Sequence, residues 1–285
     1  MKLVTTVAVA EVDGLTHDDI IFVNGLTQEA GILAAGMREG VEIQEKTGPQ
    51  DRVTAADFEL SRLLVRALKN RFPKDTIVSE EDDVHSSTGD SSRVWLIDPI
   101  DGTDNYIKND GQWSVMVGLV VDLKPIFGWV FAPANMTTYY GGPGYGAWKQ
   151  QLKHDAIRFE PLAELDQEEP ARVIMGYRDR TSHPWVKEHP KVVLVKGGSI
   201  GLKVAKVLEG SADIFVHLSG KLKTWDTAGP AAVALGNSLD VGTLEYDELA
   251  FPADTILHAT SVVMGRPGSL AWSRKYLRDQ AQGAQ

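Results

Sequence analysis

The sequence predicts an α+β first half followed by an α/β second half, and three observations carry that reading. Up to residue 71 the pattern is helical, with Leu60, Leu63, Leu64, Ala67 and Leu68 recurring on one face. Between Trp113 and Trp148 short apolar runs are broken by turns, as in an antiparallel meander. After the charged stretch Gln150 to Pro170, apolar runs alternate with helical segments. The 285 residues, 43% hydrophobic and 24% charged, are ordinary globular material with enough length for two domains. The charged stretch is the expected boundary, giving an N-terminal α+β domain over 1–155 and a C-terminal α/β domain over 156–285.

In chain order, Asp18 to Glu39 reads as a helix with a stripe of small residues, Ala30, Gly31, Ala34, Ala35 and Gly36, suited to close packing. Gln44 to Asp51 reads as a polar loop, with Lys46 as a solvated side chain. Thr54 and Asp57 have capping-box spacing at the start of a helix to Arg71. Thr76 to Ser79 is a strand running into Glu80-Glu81-Asp82-Asp83, and His85 to Ser92 is a Ser/Asp/Gly-rich loop. Val94 to Ile97 is a short buried strand expected to stop at Asp98-Pro99, because proline cannot continue a central ladder. Gly102-Thr103 open a short helix.

The meander consists of Val115 to Val121, Ile126 to Ala132 and Thr137 to Tyr140, with Asp122 to Pro125 as one turn. Gly141 to Gly146 lacks the lysine and the strand–loop–helix context of a phosphate loop, so it reads as a hairpin connection. The aromatic residues Trp129, Phe131, Tyr139, Tyr140 and Trp148 read as sheet packing. In the second half, strands are expected at Val173 to Tyr177, Val192 to Val195, Ile214 to Leu218 and Ala259 to Met264. Helices are expected at Gly201 to Glu209, from near Asp226, and at Ser269 to Arg278.

Composition narrows the function. With no cysteine there is no disulfide, thiolate nucleophile or cysteine–zinc site. Leu3 to Ala10 is too short and polar for a signal peptide, and no stretch approaches a membrane span, so the expectation is a cytoplasmic protein without membrane partners. A net charge of −10 disfavours a nucleic-acid polymer as partner. An acidic protein that handles an anion needs local positive charge, which bound metal ions supply.

The acids themselves point to such a site. Asp98 and Asp101 leave one strand end beside a helix N-terminus, a pairing that suits a hard divalent cation and a phosphate. Glu80 follows a second strand, and Asp226 opens an alanine-rich helix. Taken singly, each has a plainer role: Asp98 or Thr103 as an N-cap in an Asp-rich turn, Asp226 as an N-cap, Glu80 as a solvated loop residue.

Glu80-Glu81, the run Trp95-Leu-Ile-Asp98-Pro-Ile-Asp101-Gly-Thr103-Asp-Asn-Tyr106, and Trp225-Asp226 resemble the three motifs of the magnesium-dependent, lithium-sensitive phosphomonoesterase family that includes inositol monophosphatase. The motifs occur in the family order, and the resemblance runs from about Gln28 to Met264. It implies a layered α-β-α-β-α sandwich with the active cleft between the two halves. It also implies Mg²⁺, two or three ions per site, held by Glu80, Asp98, the Ile100 carbonyl, Asp101 and Asp226. Asp57 and Thr103 would hold the attacking water, with Glu80 counted in the catalytic set, and the Gly102 and Thr103 amides would take phosphate oxygens. Many relatives dimerise, so a homodimer is allowed.

The stretch Gly197 to Lys203 with Glu209-Gly210, and Tyr106-Ile107-Lys108, resemble the branch that cleaves 3′(2′),5′-bisphosphate nucleotides. By that resemblance His183, Ser199, Lys203 and Asp226 touch a small phosphorylated substrate. Ser219 stands where inositol monophosphatases carry a polyol-gripping glutamate, and His217 stands where adenosine phosphatases often carry arginine. Three readings follow: a nucleotidase acting on 3′-phosphoadenosine 5′-phosphate, an inositol- or sugar-phosphate phosphatase, and an inactive metal- or nucleotide-binding regulator.

Overall fold

The computed structural model describes residues 12–38, 43–48, 51–82, 92–252 and 255–282, with backbone only at 43–48, 51–52, 279–280 and 282. The run from Leu3 to Ala10, most of the loop from His85, Asp83, Glu39 and the Lys46 side chain lie outside the described residues.

Helices α1 (His17–Gly36) and α2 (Ala55–Arg71) form the first layer. Thr16 and Thr54 close capping boxes with Asp19 and Asp57, so side-chain oxygens engage backbone donors at both helix starts. The expected polar loop between these helices is instead an antiparallel hairpin, β1 (Ile43–Gly48) and β2 (Asp51–Thr54). Backbone pairing needs no apolar alternation, so composition alone gave no strand signal there.

The second layer is a seven-stranded sheet in chain order: β3 (Thr76–Ser79), β4 (Arg93–Asp101), β5 (Ser114–Val121), β6 (Lys124–Ala132), β7 (Thr137–Gly142), β8 (Gly146–Gln151) and β9 (Ile157–Arg158). Only β3 and β4 pair in parallel. The strands alternate between two cores. Trp95, Ile97, Val115, Val117, Phe127, Trp129 and Phe131 face α1 and α2, while Leu96, Met116, Val120 and Val130 face the other way. In the small-residue stripe of α1, Ala30, Gly31 and Ala34 are buried, Gly31 against the Phe131 ring, whereas Ala35 and Gly36 face solvent.

Behind this sheet lie α6 (Ile200–Leu208) and α7 (Thr224–Gly236). Next comes a five-stranded sheet, in the order β11 (Val192–Val195), β10 (Ala171–Ile174), β12 (Ile214–His217), β14 (Val262–Gly265) and β13 (Asp240–Gly242). Ile174, Phe215, Val262 and Met264 turn toward α6 and α7, whereas Val173, Ile214, Val216 and Val263 turn to Trp272 and Leu277 of α8 (Ser269–Gln282) and to Val186 of the short α5 (Trp185–Glu188). The result is the expected α-β-α-β-α sandwich.

Two details place the site. First, β4 does not stop at Pro99. It runs to Asp101, with its register against β5 interrupted between Asp98 and Asp101. Its parallel partner β3 ends opposite Ile97, so the missing proline N–H falls in a bulge beyond the paired ladder. Second, α7 sits directly on the sheet through glycines. A Cβ on Gly118 would lie 2.5 Å from the Gly229 nitrogen, and one on Gly128 would lie 2.0 Å from the Gly229 oxygen. That seat sets α7 at Gly229, one turn after Asp226, against β5 and β6.

Candidate active site

The site grows from strand ends. Because β3 and β4 pair in parallel, the Glu80 amide reaches the Ile97 carbonyl at 3.1 Å, which sets Glu80 beside Asp98. Asp98 and Asp101 flank the β4 bulge and are 2% and 5% exposed. Asp226 occupies the first turn of α7, its Oδ2 accepting from the Lys223 amide at 2.6 Å. Asp57 is buried at the start of α2. Its Oδ2 accepts from the Thr54 amide at 2.8 Å and the Thr54 hydroxyl at 2.6 Å, and Thr103 Oγ1 donates to its Oδ1 at 3.4 Å. The capping role and the placement beside Thr103 therefore coexist. Thr103 begins α3 (Thr103–Lys108), entered through Gly102 in the left-handed region at φ 88°. Its hydroxyl also lies 3.3 Å from the Ile100 carbonyl, which keeps a second lone pair.

The charges of these acids act on one another. Burial first, then the charges of Glu80, Asp101, Asp226 and Asp57, push the Asp98 carboxyl well above the usual range. Asp226 is pushed up to about 7 by burial and by Asp101, against the lowering effect of the Lys223 amide, Lys223 and Lys203. Asp98 Oδ1 is buried with no hydrogen-bond partner among the described residues. A buried unpartnered carboxylate oxygen among like charges is unfavourable unless a cation compensates it. The donors are hard oxygens, which fit Mg²⁺. Among the described residues no group of three or more acids or histidines is placed so that it could hold a metal ion by itself.

The Inositol monophosphatase family profile matches residues 17–243. The chain belongs to that family. It is similar to the 3′(2′),5′-bisphosphate nucleotidase CysQ of Haemophilus influenzae, 35% identical over 204 residues, covering 70% of this chain and 72% of the relative. It is also similar to the inositol-1-monophosphatase of Bacillus subtilis, 29% identical over 257 residues, covering 84% and 89%. Among solved structures, an IMPase of Thermotoga maritima shares the fold with a TM-score of 0.77 at 24% identity, covering 94% of this chain and 100% of that one. The chain is thus a phosphoric monoester hydrolase of a metal-dependent family, generally Mg²⁺-dependent, whose members take small phosphorylated substrates. Among its described residues, no helix is long and apolar enough to cross a membrane.

Elements of the second half meet Asp101 from the other side. Asp101 reaches across: its Oδ1 accepts from the Ile200 amide at 3.0 Å, and its Oδ2 from the Gly201 amide at 2.7 Å and Ser114 Oγ at 3.0 Å. Ser199 is 3% exposed and caps α6. Its hydroxyl accepts from the Leu202 amide at 3.4 Å and lies 2.9 Å from that of Ser114, so its bonds are made inside the protein. Lys203 is 4% exposed and donates to the Gly198 carbonyl. Burial lowers its pKa, while Asp101 and Asp226 act in the opposite direction.

His183 is brought to a neighbouring cluster rather than to the acids themselves. Its Nδ1 lies 2.9 Å from the Asp179 carbonyl and 3.5 Å from Asp179 Oδ1, and His217 Nδ1 lies 3.8 Å from Asp179 Oδ2. Asp179, 2% exposed, also accepts from the Leu218 and Ser219 amides, each at 2.9 Å, and from the Ser219 hydroxyl. Sequence reasoning missed Asp179 and Ser114. Asp179 lies in a short helix with no apolar periodicity, and Ser114 meets Asp101 only through the β4–β5 register.

Proposed function

We propose that the chain is a Mg²⁺-dependent 3′(2′),5′-bisphosphate nucleotidase, hydrolysing 3′-phosphoadenosine 5′-phosphate to AMP and phosphate. The observation that carries the catalytic part is the buried, unpartnered Oδ1 of Asp98 surrounded by four further carboxylates. Glu80, Asp98, Asp101, Asp226 and the Ile100 carbonyl would hold two or three ions. Bound there, the metal supplies Lewis-acid polarisation of the phosphoryl group and neutralises charge on the leaving oxygen.

The chain's own groups have the remaining tasks. Asp57 Oδ2 is committed to Thr54, so Oδ1, already paired with Thr103 Oγ1, is the atom that would take a proton from the attacking water. The Gly102 and Thr103 amides would orient phosphate oxygens, and buried Lys203 would offset anionic charge. In this reading residues 1–155 carry most metal ligands and the Gly102 and Thr103 amides, and residues 156–285 supply Asp226 and the remaining substrate contacts.

Support for the nucleotide comes from the resemblance to the Haemophilus influenzae nucleotidase and from Ser219. Ser219 brings no carboxylate of its own to grip a polyol hydroxyl, and the oxygens of the Asp179 carboxylate beside it already accept from the Leu218 and Ser219 amides and the Ser219 hydroxyl. The test is phosphate release with Mg²⁺ from 3′-phosphoadenosine 5′-phosphate and from inositol 1-phosphate at equal concentration. A large preference for the nucleotide is expected. A preference for inositol 1-phosphate would move the assignment to the inositol phosphatase reading, and release from neither would overturn both.

A further inference from the structure

The short helix α4 (Tyr177–Ser182) carries groups that the proposed hydrolysis leaves unused. Tyr177 is 75% exposed, so its ring contributes little to the core. Arg180, one turn later, holds its guanidinium 5.9 Å from that ring's centroid, within cation–π range. Among the described residues Arg180 forms no ion pair, unlike its neighbour Arg178, which binds Asp104 at 3.3 Å. Asp104 follows Thr103 on α3, so that contact ties α4 to the element beside the acidic cluster. From below, buried Asp179 ties α4 to the Leu218 and Ser219 amides. The helix is thus tied both to α3 and to the end of β12. Its Arg180 is close enough for its charge to act on Lys203, which itself feels Asp101 and Asp226.

We propose that Arg180 and Tyr177 form a second anion subsite that takes the phosphate-bearing end of a nucleotide, with the base against the Tyr177 ring, while the scissile phosphate lies at the acids. This rests on the nucleotide reading and names the residues that would select for it. A planar guanidinium without a carboxylate partner suits a phosphate, and an exposed aromatic beside it suits a base. A polyol monophosphate offers neither group, so the subsite would discriminate against it.

The experiment is equilibrium binding of 5′-AMP, without turnover, to the wild-type protein, Arg180→Ala, Arg180→Lys and Tyr177→Ala. Thermal melting of each variant serves as a fold control. The expected result is binding to wild type, a loss of about 10–100-fold in Arg180→Ala, partial recovery in Arg180→Lys, and weakening in Tyr177→Ala. No binding to wild type, or unchanged binding in Arg180→Ala at unchanged melting temperature, would overturn the subsite. Turnover separates the two proposals. If wild type cleaves the bisphosphate and Arg180→Ala leaves the ratio of bisphosphate to 3′-AMP cleavage unchanged, the subsite fails and the nucleotidase reading stands. If 5′-AMP binding depends on Arg180 but neither nucleotide is cleaved, the subsite stands and the nucleotidase reading fails.

Discussion

Gly128→Ala tests whether the seat of α7 on the sheet sets the geometry of the active site. The added Cβ would lie 2.0 Å from the Gly229 oxygen, 2.7 Å from its carbonyl carbon and 2.8 Å from its Cα. Ordinary carbon–oxygen contact needs more than 1 Å of additional room, and the obstacle is helix backbone rather than a flexible side chain. Overpacking of this kind costs about 1–3 kcal/mol. For a protein of this size that corresponds to a melting temperature lower by roughly 3–10 °C. Gly229 lies one turn after Asp226 on the same helix, so a displacement there carries Asp226 with it. A displacement of about 1 Å at a reacting centre costs on the order of 100-fold in rate. The assay pairs thermal melting with turnover at saturating substrate and Mg²⁺. Wild-type melting and turnover together would refute the close seat. Lowered melting with intact turnover would keep the seat but refute its role in placing Asp226.

Gly25→Ala serves as a contrast, since nothing lies within 4 Å of a Cβ there and Gly25 is inside α1; the melting temperature should be unchanged or higher, by about 0.5–1 kcal/mol of helix stabilisation. Asp98→Asn should reduce turnover at least about 100-fold, as measured by phosphate release, through loss of an electrostatic stabiliser. With chelator present the same variant should melt higher than wild type at neutral pH, because a buried carboxylate raised by its neighbours destabilises the ionised fold. His258 is buried, paired with Thr227 at 2.7 Å, and pushed down to about 4, mainly by burial and secondarily by His217. A folded-state value below the unfolded one means that the unfolded chain binds more protons between about pH 6.5 and pH 4. Its share of stability, present above that window, is therefore lost as pH falls through it, by up to about 3 kcal/mol. His258→Asn should flatten the melting profile over that interval, and an unchanged slope would exclude His258 as its source.

The sequence by itself determined the class of the fold, most of its long elements and the members of the acidic cluster. Strands such as β5 and β6 carry dense apolar runs on two buried faces, and the helix of Leu60, Leu64 and Leu68 carries its period openly. The acids were legible because Glu80-Glu81, the run around Asp98 and Asp101, and Trp225-Asp226 resemble three motifs of one family in the family order. Elements held mainly by backbone pairing were not legible, among them the β1–β2 hairpin and the short β13. The continuation of β4 past Pro99 was also hidden, because it depends on where the neighbouring strand ends. Only the tertiary structure decided that Ser199 is bonded within the protein and that Asp179 gathers His183, His217 and Ser219. These contacts join residues up to 85 positions apart. The Asp179–His183 contact is local, four residues apart on one helix, but the others join separate elements that only the packing of the two sheets brings together.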